Sequence, residues 1–472
     1  MSTVEGVEGI DAGLAGLVEA LAGREITSRR LVETALKRIA ATQATLNAFR
    51  CVRTEAALRE ADEADRRLGA GESAPLLGVP VAIKDDLDLQ GETTAFGCEG
   101  RFERKTVDAE AVRRLKEAGA VIVGKTNTPE LGQWPITEGP AFGATRNPWS
   151  LDHTPGGSSG GASAAVAAGL VPAALGSDGL GSVRIPAAWT QLVGIKPQRG
   201  RISTWPDSEA FNGLTCVGPL ARTVLDAALL LDVASGNHPE ELHRPAPPGE
   251  PYAVTARRAD PGRRLRIALS FKSAWAPVAR HLLPEVRACV ERLAGAVEGL
   301  GHAVAPDEPS YGVLGVSVLP RSIAGVSEWS RRVPEAGLLD RRTRETARIG
   351  RLLGGPVLRA ARGLERPMRA QVGAIFHRYD VLITPTTGEP PLSIGELDGL
   401  TGWQTDKRML AACPFTWPWN VLGWPGISVP AGLTGAGLPV GAQLLGPAGS
   451  ESLLIALAAQ LEGVERWYER RP

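Results

Sequence analysis

Two serines in a glycine-rich segment are the residues best suited to chemistry in this sequence. Ser158 lies in residues 156–161, Gly-Gly-Ser-Ser-Gly-Gly, and Ser182 follows 24 positions later. A serine among glycines is sterically open, and the neighbouring backbone N–H groups can converge on one point. Acyl transfer needs both a reachable hydroxyl and donors for the oxygen that becomes negative. Residues 154–201, which follow His153, contain neither histidine nor cysteine, so a group other than the familiar histidine is a candidate to activate the serine.

Lys84 is the candidate for that activating group. It follows residues 76–83, Leu-Leu-Gly-Val-Pro-Val-Ala-Ile, whose apolar end predicts an interior strand. Burial disfavours the ammonium form and lowers the pKa of a lysine, so a buried lysine can accept a proton near neutral pH. The alternative is a lysine that ends a strand and pairs with Asp85 or Asp86, because such ion pairs are common.

The segment that carries the two serines has alternative interpretations. Residues 179–182, Gly-Leu-Gly-Ser, also fit a turn between strand and helix in which Ser182 is the N-cap. Ser158 and Ser159 also suit a phosphate loop, but the Gly-x4-Gly-Lys-Ser/Thr motif is absent and no Gly-x-Gly-x-x-Gly run directly follows a strand. A nucleotide site is therefore not expected. If Ser182 is the nucleophile, the N–H groups predicted for the oxyanion hole are those of Gly179, Leu180, Gly181 and Ser182.

Alternating strand and helix patterns surround these candidates and predict an α/β fold with a mostly parallel sheet. Apolar residues at helical spacing predict a helix that begins near Thr27 or Ser28. Residues 236–263 contain six prolines and predict an exposed connection between two halves. The other predicted helices are 54–68, 109–118, 162–170, one from Pro186, 284–300, most of 306–375 and 453–461, and the other predicted strands are 79–83, 120–123, 173–175, 265–269, 380–385 and 426–430.

The composition excludes several classes of function. The 472 residues include 52 basic and 52 acidic side chains, a balance that predicts neither a nucleic-acid partner nor an anionic membrane. Five cysteines stand far apart without Cys-x-x-Cys spacing, which predicts neither a metal site nor a disulfide framework. Residues 1–10 lack the pattern of a signal peptide, and the longest apolar run, 162–175, is too short to span a bilayer. We expect a cytoplasmic protein.

The motifs taken together resemble the amidase signature family over nearly the whole chain. The most specific run is 154–161, continued by Asp178, by 181–188 (Gly-Ser-Val-Arg-Ile-Pro-Ala-Ala) and by 194–197 (Gly-Ile-Lys-Pro). The other segments that carry the resemblance are 26–28, 46–49, 78–85, 124–130, 145–149, 420–423, 428–432 and 437–441.

The resemblance implies a single α/β/α layered domain over residues 1–472 with a mixed, mostly parallel central sheet. Its signature core is expected at about 75–235, and a variable helical segment at about 306–375 is expected to shape the substrate site. The resemblance also implies a Ser–cis-Ser–Lys triad without cofactor or metal. Lys84 is then the base, Ser158 the bridging serine in a cis peptide with Gly157, and Ser182 the nucleophile. Asp178 and Arg184 are expected to be a structural pair that brackets the nucleophile loop.

Two departures from the family pattern stand near the predicted nucleophile. Leu180 occupies a position where glycine is usual, so its backbone cannot freely adopt a positive φ. Residues 188–192, Ala-Trp-Thr-Gln-Leu, place Gln191 and other bulky side chains where a smaller stretch is usual. We expect the first departure to bear on one oxyanion donor and the second to change the surroundings of the site.

The expected substrate is a small, neutral, partly hydrophobic or aryl amide. The loop after residue 130 and the variable segment are expected to form the pocket, with Gly132, Gln133 and Trp134 as substrate-binding residues. Apolar aromatic walls favour an uncharged acyl or aryl group, and the same apparatus would accept esters and carbamates. The enzyme is expected to be a monomer or homodimer. The alternatives are a glutaminase subunit of a tRNA-dependent amidotransferase and a non-catalytic binding protein. The aromatic candidates for the wall, which could instead pack in the core, are Trp403, Trp417, Trp419 and Trp424.

Overall fold

A large mixed sheet is the centre of the computed structural model, which describes residues 10–274 and 281–472. Residues 1–9, which bear on the signal-peptide expectation, lie outside the described residues. The strands are β1 Phe49–Val52, β2 Pro80–Lys84, β3 Val121–Thr126, β4 Glu138–Gly139, β5 Gly143–Ala144, β6 Ala173–Asp178, β7 Val193–Lys196, β8 Cys216–Ala221, β9 Arg266–Leu269, β10 Ala303–Pro306, β11 Val381–Pro385, β12 Gly426–Leu433 and β13 Pro439–Leu445. Eleven of them form one sheet in the order β1-β3-β2-β6-β8-β7-β12-β13-β11-β9-β10, and β4 pairs with β5.

The pairing of neighbouring strands corrects one expectation. The predicted mixed sheet is confirmed, but parallel pairs are the minority: β3–β2, β2–β6, β11–β9 and β9–β10 are parallel, and the other six neighbouring pairs of the eleven-stranded sheet are antiparallel. The centre of the sheet is antiparallel because β8 runs back between β6 and β7, and because β12 and β13 form a hairpin. Two groups of parallel strands therefore flank an antiparallel centre.

Helices cover both faces of the sheet and give the expected α/β/α layers. On β2, Val81 and Ile83 pack into one hydrophobic core while Ala82, between them, packs into the other, because successive side chains of a strand point to opposite faces. The helices are α1 Gly13–Ala22, α2 Ser28–Leu46, α3 Thr54–Gly69, α4 Glu110–Glu117, α5 Gly160–Ala167, α6 Arg184–Trp189, α7 Ala210–Gly213, α8 Val224–Ala234, α9 Tyr252–Arg258, α10 Pro284–Gly299, α11 Leu314–Ser330, α12 Arg341–Leu352, α13 Pro356–Gly363, α14 Glu365–Gly373, α15 Gly402–Ala412, α16 Pro418–Leu422 and α17 Glu451–Glu465.

Of the two segments that flank β9 and β10, the sequence predicts one correctly and the other only in part. The predicted helical segment 306–375 is confirmed and holds α11 to α14. The expectation of an exposed connection is wrong for α9, because Tyr252 is buried and its backbone N–H donates to Asp232 of α8. No helix of the described residues is long and apolar enough to cross a membrane.

Candidate active site

Lys84 is the last residue of β2 and lies fully buried at the end of that strand. Its Nζ donates to Ser158 Oγ at 2.7 Å and to Ser177 Oγ at 2.8 Å, and it lies 3.1 Å from Asp86 Oδ2. Ser177 Oγ in turn donates to Asp86 Oδ2. The lysine is therefore held by three oxygen atoms, one of which belongs to the predicted bridging serine.

The ionisation of Lys84 follows from this surrounding. Burial has the largest effect and lowers the pKa of Lys84, while the carboxylates of Asp86 and Asp178 raise it, and the net shift is downward. The ion pair that stood as the alternative interpretation is thus present with Asp86, whereas Asp85 pairs with Lys125 and Arg50. The net shift stays downward although Asp86 is close, so the contact with Asp86 is compatible with a lysine that acts as a base.

Ser158 reaches the lysine from the turn that precedes α5. The Gly157–Ser158 peptide bond is cis, as the resemblance implies. A β-carbon at Gly157 would lie 2.3 Å from the carbonyl oxygen of Ile136, so this approach of two backbones requires glycine. The next residue, Ser159, donates its backbone N–H to the carbonyl oxygen of Ser182 at 3.1 Å. This hydrogen bond ties the two serine-bearing segments together.

Ser182 stands just before α6 and lines the same cavity as Lys84 and Ser158. Helix α6 begins at Arg184, so the expected start at Pro186 is wrong by two residues, and its N-cap is Val183. The alternative interpretation of Ser182 as the N-cap is therefore wrong. The N–H groups of Val183 and Arg184 instead point to Asp178 Oδ2 at 3.3 and 3.4 Å, which explains the earlier helix start.

Asp178 and Arg184 form a fully buried ion pair behind this turn. Arg184 donates through Nε to Asp178 Oδ2 at 3.0 Å and through Nη2 to Oδ1 at 3.1 Å. Asn420 also donates to Asp178 Oδ1 at 2.8 Å. Burial raises the pKa of Asp178, but Arg184 and the other donors outweigh it and lower the pKa to about 2. A permanent carboxylate thus organises the loop that carries Ser182.

The predicted oxyanion loop needs one correction. The N–H of Gly181 donates to Asp178 Oδ1 at 2.7 Å, so it is committed to the ion pair and is not a free donor. Gly179, Leu180 and Ser182 all line the cavity. Leu180 is not among the described non-glycine residues with positive φ, whereas Gly181 has a φ of +128°. The leucine is therefore compatible with this turn, because the unusual backbone angle falls on the next residue.

The second departure from the family pattern lies away from the cavity. Trp189 is buried and donates its indole N–H to Thr387 Oγ1 and to the carbonyl oxygen of Glu389. Gln191 has a φ of +58° and donates Nε2 to the carbonyl oxygen of Gly432 at 2.7 Å. Trp189 and Gln191 therefore anchor the end of α6 and the residues after it to the segment that follows β11 and to β12, and they do not line the site.

The three predicted substrate-binding residues all line the cavity. A β-carbon on Gly132 would lie 3.2 Å from Ser158 Oγ, which places this loop directly against the serine. Gln133 donates Nε2 to Thr343 of α12 at 2.6 Å, and the Arg342 guanidinium lies 4.6 Å from the centre of the Trp134 ring. The variable helical segment therefore fixes the loop that covers the site.

Two helices complete the walls with mostly apolar side chains. Trp403 and Trp417 line the cavity, while Trp419 and Trp424 pack against Phe376 in the core, as the alternative interpretation of the tryptophans predicts. The residues from α11 that line the cavity are Val318, Leu319, Ser322, Ile323, Val326 and Trp329, and those from α15 are Trp403, Asp406, Met409 and Leu410.

Ser177 and Asp406 are among the polar residues of this cavity that sequence reasoning missed. Ser177 is on β6, whose parallel pairing with β2 brings it beside Lys84. Polar residues near the carboxyl ends of neighbouring parallel strands are a signal that could have found it. Asp406 follows Trp403 and precedes Met409 by three positions each, a helical spacing that places it on their face. Without the fold, however, neither signal shows which residues Ser177 and Asp406 contact.

Comparison with known proteins agrees with this geometry. A family model described as Amidase matches residues 30–455. The chain belongs to the amidase signature family. AmiA2 of Mycobacterium tuberculosis is 54% identical over 480 residues, which cover 99% of this chain and 98% of the relative. The 6-aminohexanoate-cyclic-dimer hydrolase of Paenarthrobacter ureafaciens is 36% identical over 487 residues, which cover 95% of this chain and 94% of the relative.

Solved structures of this amidase family show the same fold. A 6-aminohexanoate cyclic dimer hydrolase in complex with its substrate superposes with a TM-score of 0.89 at 34% identity, covering 98% of this chain and 99% of the other. A bacterial aryl acylamidase of the amidase signature family superposes with a TM-score of 0.87 at 26% identity, covering 98% and 99%. The chain is thus an amidase signature enzyme, a hydrolase of carbon–nitrogen amide bonds.

Proposed function

We propose that this amidase cleaves a small, partly hydrophobic amide through a covalent acyl intermediate on Ser182. The observation that carries the proposal is the hydrogen bond from Lys84 Nζ to Ser158 Oγ in a cavity that Ser182 also lines. A buried lysine of lowered pKa can act as a base. A hydroxyl placed between that base and a second hydroxyl can pass the proton along.

The proposed reaction moves one proton through this relay in each direction. Neutral Lys84 takes the proton of Ser158 as Ser158 takes the proton of Ser182, whose oxygen then bonds to the amide carbon. The N–H groups of Gly179, Leu180 and Ser182 are the candidates to stabilise the resulting oxyanion. When the carbon–nitrogen bond breaks, the proton returns to the leaving amine. A water molecule then attacks the acyl-serine by the same relay and releases the acid.

The walls of the cavity set the expected substrate class. Most of the α11 wall and of the α15 wall is apolar or aromatic, which favours an acyl or aryl group without charge next to them. The names of two relatives state a cyclic amide and an aryl acylamide as substrates, so both kinds of amide are candidates here. Esters and carbamates are proposed as further substrates because they present the same carbonyl to the nucleophile.

Labelling and a substrate panel test the proposal together. A fluorophosphonate should label the wild-type enzyme and not Ser182→Ala, and mass spectrometry of the peptide should place the label on Ser182. The panel holds neutral p-nitroanilides, nitrophenyl esters, aryl carbamates and glutamine. Hydrolysis of the neutral anilides supports the proposal. Activity on glutamine alone would favour a glutaminase subunit, and the absence of both labelling and turnover would favour a binding protein.

A further inference from the structure

Asp406 is the exception on an otherwise apolar face of α15. The side chains with which this helix and the residue after it line the cavity are Trp403, Asp406, Met409, Leu410 and Cys413. They recur at the three- and four-residue spacing of one helix face. The carboxylate on this face lines the active-site cavity and is only partly exposed, whereas acidic side chains usually lie on the outer surface.

Asp406 has no counter-ion among the described residues, because the nearby arginines pair with other carboxylates. No ion pair between described residues includes it, whereas its neighbour Arg408 pairs with Glu389 and Glu396. Arg342, whose guanidinium lies over the Trp134 ring, is held by two hydrogen bonds to Asp340. The indole of Trp134 lies beside the carboxylate, but its buried N–H forms no well-aligned hydrogen bond among the described residues. The cavity wall therefore presents an uncompensated acidic group.

The ionisation of Asp406 fits a binding role. Burial raises the pKa of Asp406 to about 6, against a smaller opposite effect of Trp134. The carboxyl group is thus mostly ionised above pH 7. A charge in apolar surroundings is costly unless it is paired, and a cation brought by the substrate would remove that cost.

We propose that Asp406 binds a protonated amine on the substrate. The inference rests on the proposed amide hydrolysis and names its substrate class: an amide that carries an ammonium group beyond an apolar spacer. It replaces the expectation of a wholly uncharged substrate, which was based on walls without a charge partner.

The covering loop contacts both the proposed proton relay and Asp406. Gly132 stands against Ser158, and Trp134, two residues later, stands beside Asp406. Two residues of extended chain span at most about 7 Å. The test substrates therefore place a few methylene groups or one aromatic ring between the scissile amide and the ammonium.

Matched substrates measure the preference directly. In the first pair, 5-aminopentanoyl p-nitroanilide is compared with hexanoyl p-nitroanilide, which has a methyl group in place of the ammonium. In the second pair, the acetyl amide of 4-(aminomethyl)aniline is compared with that of 4-ethylaniline, so that the charge lies on the leaving amine. The wild-type enzyme should favour the charged member of one pair in kcat/KM. Asp406→Asn should lower that ratio at least about tenfold, as expected for the loss of one charge pair worth about 1.4 kcal/mol or more.

An exposed carboxylate on the segment before α15 provides the control. Asp398→Asn makes the same chemical change outside the cavity and should leave the ratio as in wild type. An unchanged ratio in Asp406→Asn for both pairs would overturn the proposal, as would a wild-type preference for the uncharged member in both. Asp406→Asn removes an unpaired charge at constant size, so it should melt no lower than wild type.

Binding without turnover separates this inference from the proposed function. Calorimetry with 4-phenylbutylammonium and 4-phenylbutanol should show at least about tenfold tighter binding of the ammonium to wild type, a difference of about 1.4 kcal/mol, and no such preference in Asp406→Asn. If the anilides are hydrolysed but no ammonium preference exists, the ammonium site fails and the hydrolase stands. If ammonium binding depends on Asp406 but no amide is hydrolysed, the hydrolase fails and the binding site stands.

Discussion

Gly132 is pressed against Ser158: a β-carbon on this glycine would lie 3.2 Å from Ser158 Oγ and 3.7 Å from Lys84 Nζ. The φ of Gly132 is +62°, a region that side chains rarely adopt. The backbone of the covering loop therefore closes directly over the proposed proton relay, and a β-carbon at this position would force Ser158 Oγ to move by a few tenths of an ångström.

We predict that Gly132→Ala lowers kcat at least about tenfold, because displacing a reacting group by a fraction of an ångström is costly. The measurement is steady-state kinetics on a neutral anilide. Gly91→Ala is the matched control, since Gly91 has a φ of +85° but open space around its β-carbon position. Equal losses in the two variants would mean that backbone strain, and not the contact with Ser158, is responsible.

The proposed triad predicts an order of severity among alanine variants. Ser182→Ala removes the nucleophile and should abolish turnover. Lys84→Ala removes the base and should nearly do so, while Ser158→Ala should cost less, because a water molecule can occupy the space of one hydroxyl. Single-turnover rates and fluorophosphonate labelling measure the order, and circular dichroism checks the fold. Full activity of Lys84→Ala would disprove the assigned base.

Local patterns predict the elements of this fold better than their pairing. The apolar run 79–83 and the helix that begins at Ser28 are confirmed, because a buried strand and an amphipathic helix leave periodic signatures. The excess of antiparallel pairs could not be predicted in this way. Pairings such as β7 with β12 join residues more than 200 positions apart, and no local spacing reports them.

The same limit applies to the site. Lys84, Ser158 and Ser182 stand in recognisable motifs, so they can be predicted as site residues from the sequence alone. Gly181 was expected to be an oxyanion donor, but its N–H bonds to Asp178, a choice made by the turn geometry. Asp406 lies in a charged stretch of α15 that the sequence would predict to be exposed to solvent. Only the fold shows that one face of this helix lines the cavity.

Ser177 holds Lys84, the proposed base, in place, and we expect its removal to cause a moderate loss of activity. It accepts from Lys84 Nζ at 2.8 Å and donates to Asp86, so it links the lysine to its counter-ion. A hydrogen bond of this kind is worth roughly 1 kcal/mol, and we expect Ser177→Ala to lower kcat about fivefold or more. Ser177→Thr should restore part of the rate, because it keeps the hydroxyl. A positioning role also predicts an altered pH profile in Ser177→Ala, which simple loss of stability would not produce.

The pH dependence of the enzyme should report the ionisation of Lys84. In the proposed mechanism the neutral amine is the base, so kcat/KM should fall as pH decreases through the pKa of Lys84. Asp86 raises this pKa by favouring the ammonium form, so Asp86→Asn should move the acid limb of the profile to lower pH. A flat wild-type profile down to pH 5 would contradict the assigned base.

Asp406 also titrates in the cavity and provides the control for this profile. Because its pKa is raised to about 6, it could produce an acid limb of its own. With a neutral anilide as substrate, the limb that belongs to Lys84 should persist in Asp406→Asn. A limb that disappears in Asp406→Asn and stays fixed in Asp86→Asn would assign it to Asp406.

The buried pair of Asp178 and Arg184 predicts a large effect on stability. Both side chains are inaccessible to solvent, and Arg184→Met would leave the carboxylate of Asp178 without its cation. Breaking a buried pair by removing one partner costs about 3–5 kcal/mol, so the urea midpoint should fall strongly. Arg29→Met, which breaks the exposed pair with Glu33, is the matched control and should have a much smaller effect.

The loss of the Asp178–Arg184 pair should also shift acid unfolding in a defined direction. Because the folded-state pKa of Asp178 is about 2, below its ordinary value, the ionised carboxylate stabilises the folded state above about pH 4, and this stabilisation is lost as the pH falls toward 2. Without Arg184 the pKa of Asp178 rises, so Arg184→Met should unfold at a higher pH than wild type. An acid midpoint that does not move would mean that Asn420 and the backbone N–H groups hold the carboxylate without the arginine.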